Sequence, residues 1–241
     1  MRETADIETS SADYARRFSG SAGRYLLDVQ SKTVREIVAD LQPGTVLDVG
    51  GAHGQLVDTL AALGWEVTVL GSDEQCGRNL RELHGKRNCK FVQGDLLHMP
   101  FADAQFDLVV SVRLLSHTEA WQQLMREFCR VARRAVVIDY PSVKGLNALT
   151  PLLFGVKKKF EGNTRTYTSF SRSDIEAALA ATSFGVTREI KQFFLPMVLH
   201  RALRAAFPVR WAEAIARALG LTALFGSPVI LRADCARLAA S

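Results

Sequence analysis

Cysteine and histidine are scarce and scattered in this 241-residue chain, which removes whole classes of chemistry. The four cysteines, Cys76, Cys89, Cys129 and Cys235, have no spacing that suits a metal, and the five histidines form no cluster. Neither a metal centre nor a disulfide framework is expected, and the thiols read as ordinary side chains of a reducing compartment. No apolar run approaches the roughly 20 residues that a bilayer-spanning helix needs. Met1 to Ser11 is polar and acidic, unlike a signal or transit peptide, so a cytoplasmic protein is the simplest reading. Repeats and low-complexity tracts are lacking. The net charge of +5 is modest and its lysines and arginines are spread along the chain, which makes a nucleic-acid partner an unfavoured expectation.

What is present is an alternation of strand-like and helix-like segments, the pattern of one doubly wound α/β domain. Residues 1 to about 12 read as disordered. Apolar spacing from Asp13 to Leu41 is helical, with an interruption expected at Ser19 to Gly23, and Pro43 and Gly44 end that region. Strands are expected from Thr45, at Glu66 to Leu70, Cys89 to Val92, Phe106 to Val112, Ala135 to Tyr140, Val186 to Phe194 and Pro228 to Ala233. Helices fit Gln55 to Leu63, Asp73 to Leu83, Glu119 to Val131 and Ser173 to Thr182, and residues 195 to 225 are helical and strongly apolar.

The run Val46, Leu47, Asp48, Val49, Gly50, Gly51, Ala52, His53, Gly54 is the most informative. A buried strand enters a glycine-lined turn and then a helix, the place where ligands bind in open α/β sheets. Glycines at 50, 51 and 54 let a ligand lie against backbone N–H groups, and Asp48 aims a carboxylate at the same crevice. A dinucleotide fingerprint wants glycine at 50, 52 and 55; Ala52 and Gln55 argue against a nicotinamide enzyme. His53 projects from the first turn of the helix.

The spacing Asp48, Gly50, Ala52, Gly54 resembles the first motif of class I S-adenosylmethionine-dependent methyltransferases, with alanine for its middle glycine. Val92, Gln93, Gly94, Asp95, Leu96 resembles their third-strand motif, and Phe106 to Val110 followed by Leu114, Leu115, Ser116, His117 resembles their fourth-strand motif. The likeness covers residues 44 to 140, with weaker support to 194, and is nearest to the small-molecule branch typified by ubiquinone and menaquinone biosynthesis. It implies a Rossmann-like, seven-stranded doubly wound sheet with an antiparallel last strand and helical cap insertions. On that plan residues 1–42 are an N-terminal helical lid, 43–194 the core, 141–170 and 195–225 the caps and 226–235 the last strand.

The resemblance also implies site residues. S-adenosyl-L-methionine would be held by Asp48, Gly50, Gly51, Ala52 and Gly54 in the turn, by Gly71, Ser72 and Asp73 after the second strand, by Asp95 and Leu96 for adenine, and by Val112. Tyr14 and Arg24 belong to the lid, where an arginine could pair with the methionine carboxylate. Such enzymes usually carry an acid at the end of the second strand for the ribose hydroxyls; here Gly71 stands there. Asp73 either reaches the ribose or caps the following helix. His117 is the candidate general base, with capping or packing as its structural alternative. Arg113 suits an anionic acceptor or is merely solvated, and Tyr140 and Tyr167 could orient the acceptor or line a core.

Two segments bear on the acceptor. Leu146 to Phe154 followed by Lys157, Lys158 and Lys159, and Pro196 to Phe225 with Leu199, Leu203, Phe207, Trp211, Ile215 and Leu219 among Arg201, Arg204, Arg210 and Arg217, combine apolar faces with cationic rims. They suit a greasy pocket, an anionic membrane surface met from one side, or a homodimer interface. The expected activity is methylation of a small hydrophobic or lipid-like acceptor, most simply on oxygen. RNA or protein methylation, and a non-catalytic cofactor-binding relative, are the alternatives.

Overall fold

The computed structural model describes residues 3–11, 14, 16, 18–52, 54–84, 89–144, 167–204 and 207–236. The expected loop with Leu146 to Phe154 and the three lysines, and His53, lie outside them. The strands are β1 (Thr45–Val49), β2 (Glu66–Gly71), β3 (Cys89–Gln93), β4 (Phe106–Ser111), β5 (Ala132–Tyr140), β6 (Phe184–Lys191) and β7 (Val229–Cys235). They form one sheet in the order β3-β2-β1-β4-β5-β7-β6. The pairings among β3, β2, β1, β4 and β5 are parallel, whereas β7 runs antiparallel to both β5 and β6.

The helices are α1 (Ala5–Thr9), α2 (Gly20–Ile37), α3 (Val57–Ala61), α4 (Glu74–His84), α5 (Trp121–Val131), α6 (Arg172–Leu179), α7 (Met197–Ala202), α8 (Phe207–Ala218) and α9 (Leu221–Phe225). Buried strand residues divide between two cores, one per face. Leu47, Val109, Val136 and Ile138 meet Leu124, Phe128 and Ile175 of α5 and α6, while Val46, Val67, Leu108 and Val137 meet Val34, Ile37 and Leu60 of α2 and α3. A strand buried on both faces has no polar side, which is why β1, β4 and β5 read as continuous apolar runs. Strand order reverses between β1 and β4, and a ligand crevice opens outside the carboxyl ends of the strands at such a point.

Two expectations are corrected and one is met. The amino terminus is not disordered: α1 docks on α4, with Ala5 and Asp6 both 0% exposed. Its polar residues pack through hydrogen bonds, a use that composition does not reveal. The interruption expected at Ser19 to Gly23 is present, as a break at Phe18 and Ser19 between the helical positions Tyr14 and Arg16 and the start of α2 at Gly20. Strand β5 begins at Ala132 rather than Ala135, since Arg133 and Arg134 reach off the strand to the carbonyls of Ala104 and Gln42 instead of breaking it.

The segment after β6 forms α7 to α9. Glu213 of α8 accepts hydrogen bonds from the backbone N–H groups of Phe194 and Leu195 and lies 2.9 Å from His200 Nε2, locking α7 to α8.

Candidate active site

At the carboxyl ends of β1 and β4 a cavity of about 30 Å³ is lined by Thr9, Tyr14, Gln30, Asp48, Gly50, Gly51, Gln55, Leu56, Val112 and Arg113. Strand β1 delivers Asp48 into it, and the turn wraps beneath. Gly50 and Gly54 adopt φ of +74° and +57°, a region that side chains with a Cβ rarely enter. Gly51 lies so close under Asp48 that any Cβ there would fall on the carboxylate. Asp48 is 1% exposed, and its Oδ2 is buried with no hydrogen-bond partner among the described residues. Burial pushes its carboxyl up to about 7, against the pull of the Arg113 guanidinium.

Arg113 is the other charged wall. Its Nη2 donates to Gln30 Oε1 at 2.7 Å and to Gln55 Oε1, its guanidinium carbon lies 4.1 Å from the Phe18 ring centroid, and its Nη1 is buried without a partner. Desolvation draws its pKa below the ordinary value. The residue is not merely solvated. Its backbone takes φ +63° and donates its N–H to Asp139 Oδ1 at 2.6 Å, and burial pushes the Asp139 carboxyl up to about 6.

Next to the cavity His117 closes a one-turn 3₁₀ helix, Leu115–His117, its N–H bonded to the Leu114 carbonyl. The imidazole stands edge-on between two tyrosines, with ring centroids 6.4 Å from Tyr14 and 5.6 Å from Tyr167. Tyr14 is buried and Tyr167 is 49% exposed, so the trio runs from the cavity to the surface.

The structure thus brings together Asp48, Gly50, Gly51, Val112, Arg113 and Tyr14, with His117 and Tyr167 adjoining and Ala52 buried behind the turn. Two predicted residues lie elsewhere. Tyr140 is 2% exposed and packs on Phe170 in the core, its phenol pushed well above its usual range chiefly by burial. Arg24 lies on the exposed face of α2 and lines no part of the cavity. Both were assigned from their places in the chain, and the inward face of α2 and the depth of the β5 end are properties of packing.

A second group sits at the ends of β2 and β3, covered by α1. No side chain fits at Gly71, because an added Cβ would lie 2.8 Å from Cys76 Cβ and 3.0 Å from the Phe91 ring. Asp73 caps α4, its Oδ1 accepting the Gln75 N–H at 2.8 Å. Ser72 gives both its N–H and its hydroxyl to Asp6. Asp95 Oδ1 accepts the Leu97 N–H at 2.8 Å, and Leu96 is fully buried.

Residues that the sequence reading missed are Asp6, Thr9, Gln30, Gln55 and Asp139. Asp139 carried a signal, a carboxylate inside an apolar strand; the glutamines carried none.

Residues 47–138 match a family model described as "Methyltransferase domain". The motifs, the strand order and this match agree. Residues 47–138 carry a methyltransferase domain. The chain is 32% identical over 113 residues to the mouse protein named "Probable tRNA methyltransferase 9B", an alignment spanning 45% of this chain and 24% of that protein. It is 32% identical over 117 residues to the fatty-acid O-methyltransferase of Mycolicibacterium smegmatis, spanning 48% of this chain and 42% of that protein. The methyltransferase domain therefore matches less than half the length of either relative. Among solved structures, magnesium protoporphyrin IX methyltransferase from Synechocystis, with bound SAM, superposes with a TM-score of 0.59 at 15% identity, covering 94% of this chain and 92% of that one. That likeness is one of fold.

Proposed function

We propose that this protein methylates a small hydrophobic acceptor that carries a carboxylate or hydroxyl, on oxygen, using S-adenosylmethionine. The observation that carries the reading is the pair of buried, unsatisfied polar groups on two residues that line one cavity, Asp48 Oδ2 and Arg113 Nη1. Orphaned buried polar atoms cost free energy unless a ligand completes them. A cation beside Asp48 and an anion beside Arg113 would do so, and the amino acid end of the cofactor carries both. The glycine cradle under Asp48 fits the same group, held by Asp48, Gly50 and Gly51.

When bound, the cofactor supplies a methyl group on a positively charged sulfur, which needs no further activation. The chain's own residues have two tasks. Alignment of the acceptor oxygen falls to the tyrosines on either side of His117, and it lowers the barrier by proximity. An acceptor carboxylate needs no base. For a hydroxyl acceptor, the His117 imidazole takes the proton as the oxygen–carbon bond forms.

The outer surface of α8 supports a lipid-like acceptor met at an anionic membrane. Phe207, Trp211, Ile215 and Leu219 recur every fourth residue and are 79%, 61%, 39% and 69% exposed. Arg210 and Arg217 lie along one side of that stripe, over the Tyr25 ring and bonded to the Gln192 carbonyl, whereas the one acid of α8, Glu213, is turned inward onto His200. An apolar stripe with a purely cationic rim complements an anionic lipid surface. No described helix is long and apolar enough to cross a membrane.

A second reading, methylation of RNA, draws on the tRNA methyltransferase 9B relatives. The deciding experiment is calorimetry with S-adenosylmethionine and S-adenosylhomocysteine on wild type, Asp48→Ala and Asp95→Ala, followed by a methyl-transfer screen of fatty acids, isoprenoid phenols and tRNA. Binding weakened by both substitutions together with turnover of a lipid supports the proposal. Turnover of tRNA alone favours the second reading, and binding without turnover of any of these acceptors refutes both.

A further inference from the structure

We propose that the amino-terminal segment is a self-inserted gate in the cofactor cleft, latched by Asp6; this rests on the methyltransferase reading above. The lid expected from the sequence would lie over a bound cofactor. The described part of that segment docks on Ser72 and Cys76 at the end of β2.

The end of β2 is built to receive a polar partner and has no side chain of its own for the purpose, since Gly71 admits no Cβ. Ser72, the next residue, presents two donors at the carboxyl edge of the sheet. A single carboxylate takes both: Ser72 N–H to Asp6 Oδ2 at 2.6 Å and Ser72 Oγ to Asp6 Oδ1 at 2.5 Å. Cys76 Sγ adds a contact of 3.5 Å to Asp6 and one of 3.4 Å to Ser10 Oγ. Ala5 is fully buried in the same core cluster as Leu70 and Leu96. Residues of α1 and the turn after it therefore fill the crevice between Ser72 and Leu96, the half of the cleft where the motifs place the nucleoside. The cavity left at Asp48 and Arg113 is small, about 30 Å³.

This gate has little stability of its own. Helix α1 has five residues, its first N–H capped by the Glu3 carboxylate, and is far below the length at which an isolated helix persists. Its docking rests on the Asp6 latch and the burial of Ala5, both on ground that a nucleoside needs, with the Ser10–Cys76 contact and a Glu119 N–H bond to Glu3 beside them. Cofactor and gate are thus competitors for Ser72. Apparent affinity is then the intrinsic affinity reduced by the fraction of molecules with the gate out.

The test is calorimetry with S-adenosylhomocysteine on wild type and Asp6→Ala, joined to hydrogen exchange of the Ala5–Thr9 amides. Asp6→Ala should bind about tenfold tighter, and in wild type S-adenosylhomocysteine should accelerate exchange across Ala5–Thr9. Weaker binding by Asp6→Ala overturns the gate and makes Asp6 a cofactor ligand replacing the acid that Gly71 cannot supply. Unchanged binding, or protection of Ala5–Thr9 by the ligand in wild type, also overturns it while leaving the methyltransferase reading intact. If neither protein binds, both readings fall. Binding by Asp6→Ala alone supports both.

Discussion

Arg113 and Asp139 are joined backbone to side chain: the Arg113 N–H donates to Asp139 Oδ1 at 2.6 Å, from a residue held at φ +63°. The left-handed conformation is costly for a residue with a Cβ. The buried carboxylate of the neighbouring strand holds it in place, and that geometry sends the guanidinium to Gln30 and Gln55. Asp139 is thus a positioning residue for the cationic wall. Asp139→Ala should cost about 1–3 kcal/mol of stability, the penalty for a buried donor left unmet, whereas Asp139→Asn, which keeps an acceptor oxygen, should cost well under half as much. Urea denaturation of the two variants checks this, and equal losses would remove the hydrogen bond as the cause.

Asp48 makes a prediction whose sign follows from its displaced titration. Its carboxyl titrates at about 7 in the folded chain and at about 3.9 unfolded. Between those values the folded state holds a proton that the unfolded state has released, so stability falls as pH rises from about 4 to 7. At about 1.4 kcal/mol per unit the loss is at most about 4 kcal/mol. Asp48→Asn removes this dependence: its stability relative to wild type should rise steadily over that window. Denaturation midpoints measured from pH 4 to 8 decide it, and parallel curves would show that Asp48 titrates normally. The same substitution should weaken S-adenosylhomocysteine binding, so the charge is kept at a cost in stability.

Much of this was legible in the sequence. Strands β1, β4 and β5 could be read because burial on both faces leaves unbroken apolar runs, and the turn after β1 because positive φ calls for glycine at 50 and 54. The reading failed where polar residues do structural work at long range. Asp6 meets Ser72 across 66 positions, and Arg113 meets Gln30 across 83. No local periodicity records such pairs. Tyr140 and Arg24 failed for a related reason, since position along a strand or helix does not say which side faces the cleft.

The stripe on α8 predicts a solution behaviour separable from catalysis. The protein should sediment with vesicles containing anionic lipid, more strongly at low salt, and not with zwitterionic vesicles. Trp211 is 61% exposed while Trp65 is 4% exposed, so vesicle binding should shift Trp211 emission to the blue. A double variant, Phe207→Ser with Trp211→Ser, should lose most of the binding without losing stability, because neither side chain is buried. A concentration-dependent dimer without vesicle binding would assign the stripe to a second copy of the chain.

His117 is the residue on which the chemistry of a hydroxyl acceptor turns. It ends the 3₁₀ turn after β4 and stands between Tyr14 and Tyr167, so its ring is oriented by packing on both faces. A proton acceptor so placed contributes typically about 10²–10⁴-fold to the rate. His117→Ala should lower kcat by that order with a hydroxyl acceptor and abolish the acidic limb of the pH–rate profile, where the imidazole of the wild type becomes protonated. With a carboxylate acceptor, already ionised at neutral pH, the same variant should change KM more than kcat, because only the packing is lost. Profiles from pH 5 to 9 with both acceptor types separate these roles. A His117→Ala enzyme that keeps the wild-type acidic limb would exclude His117 as the base and leave it as an aromatic spacer between the two tyrosines.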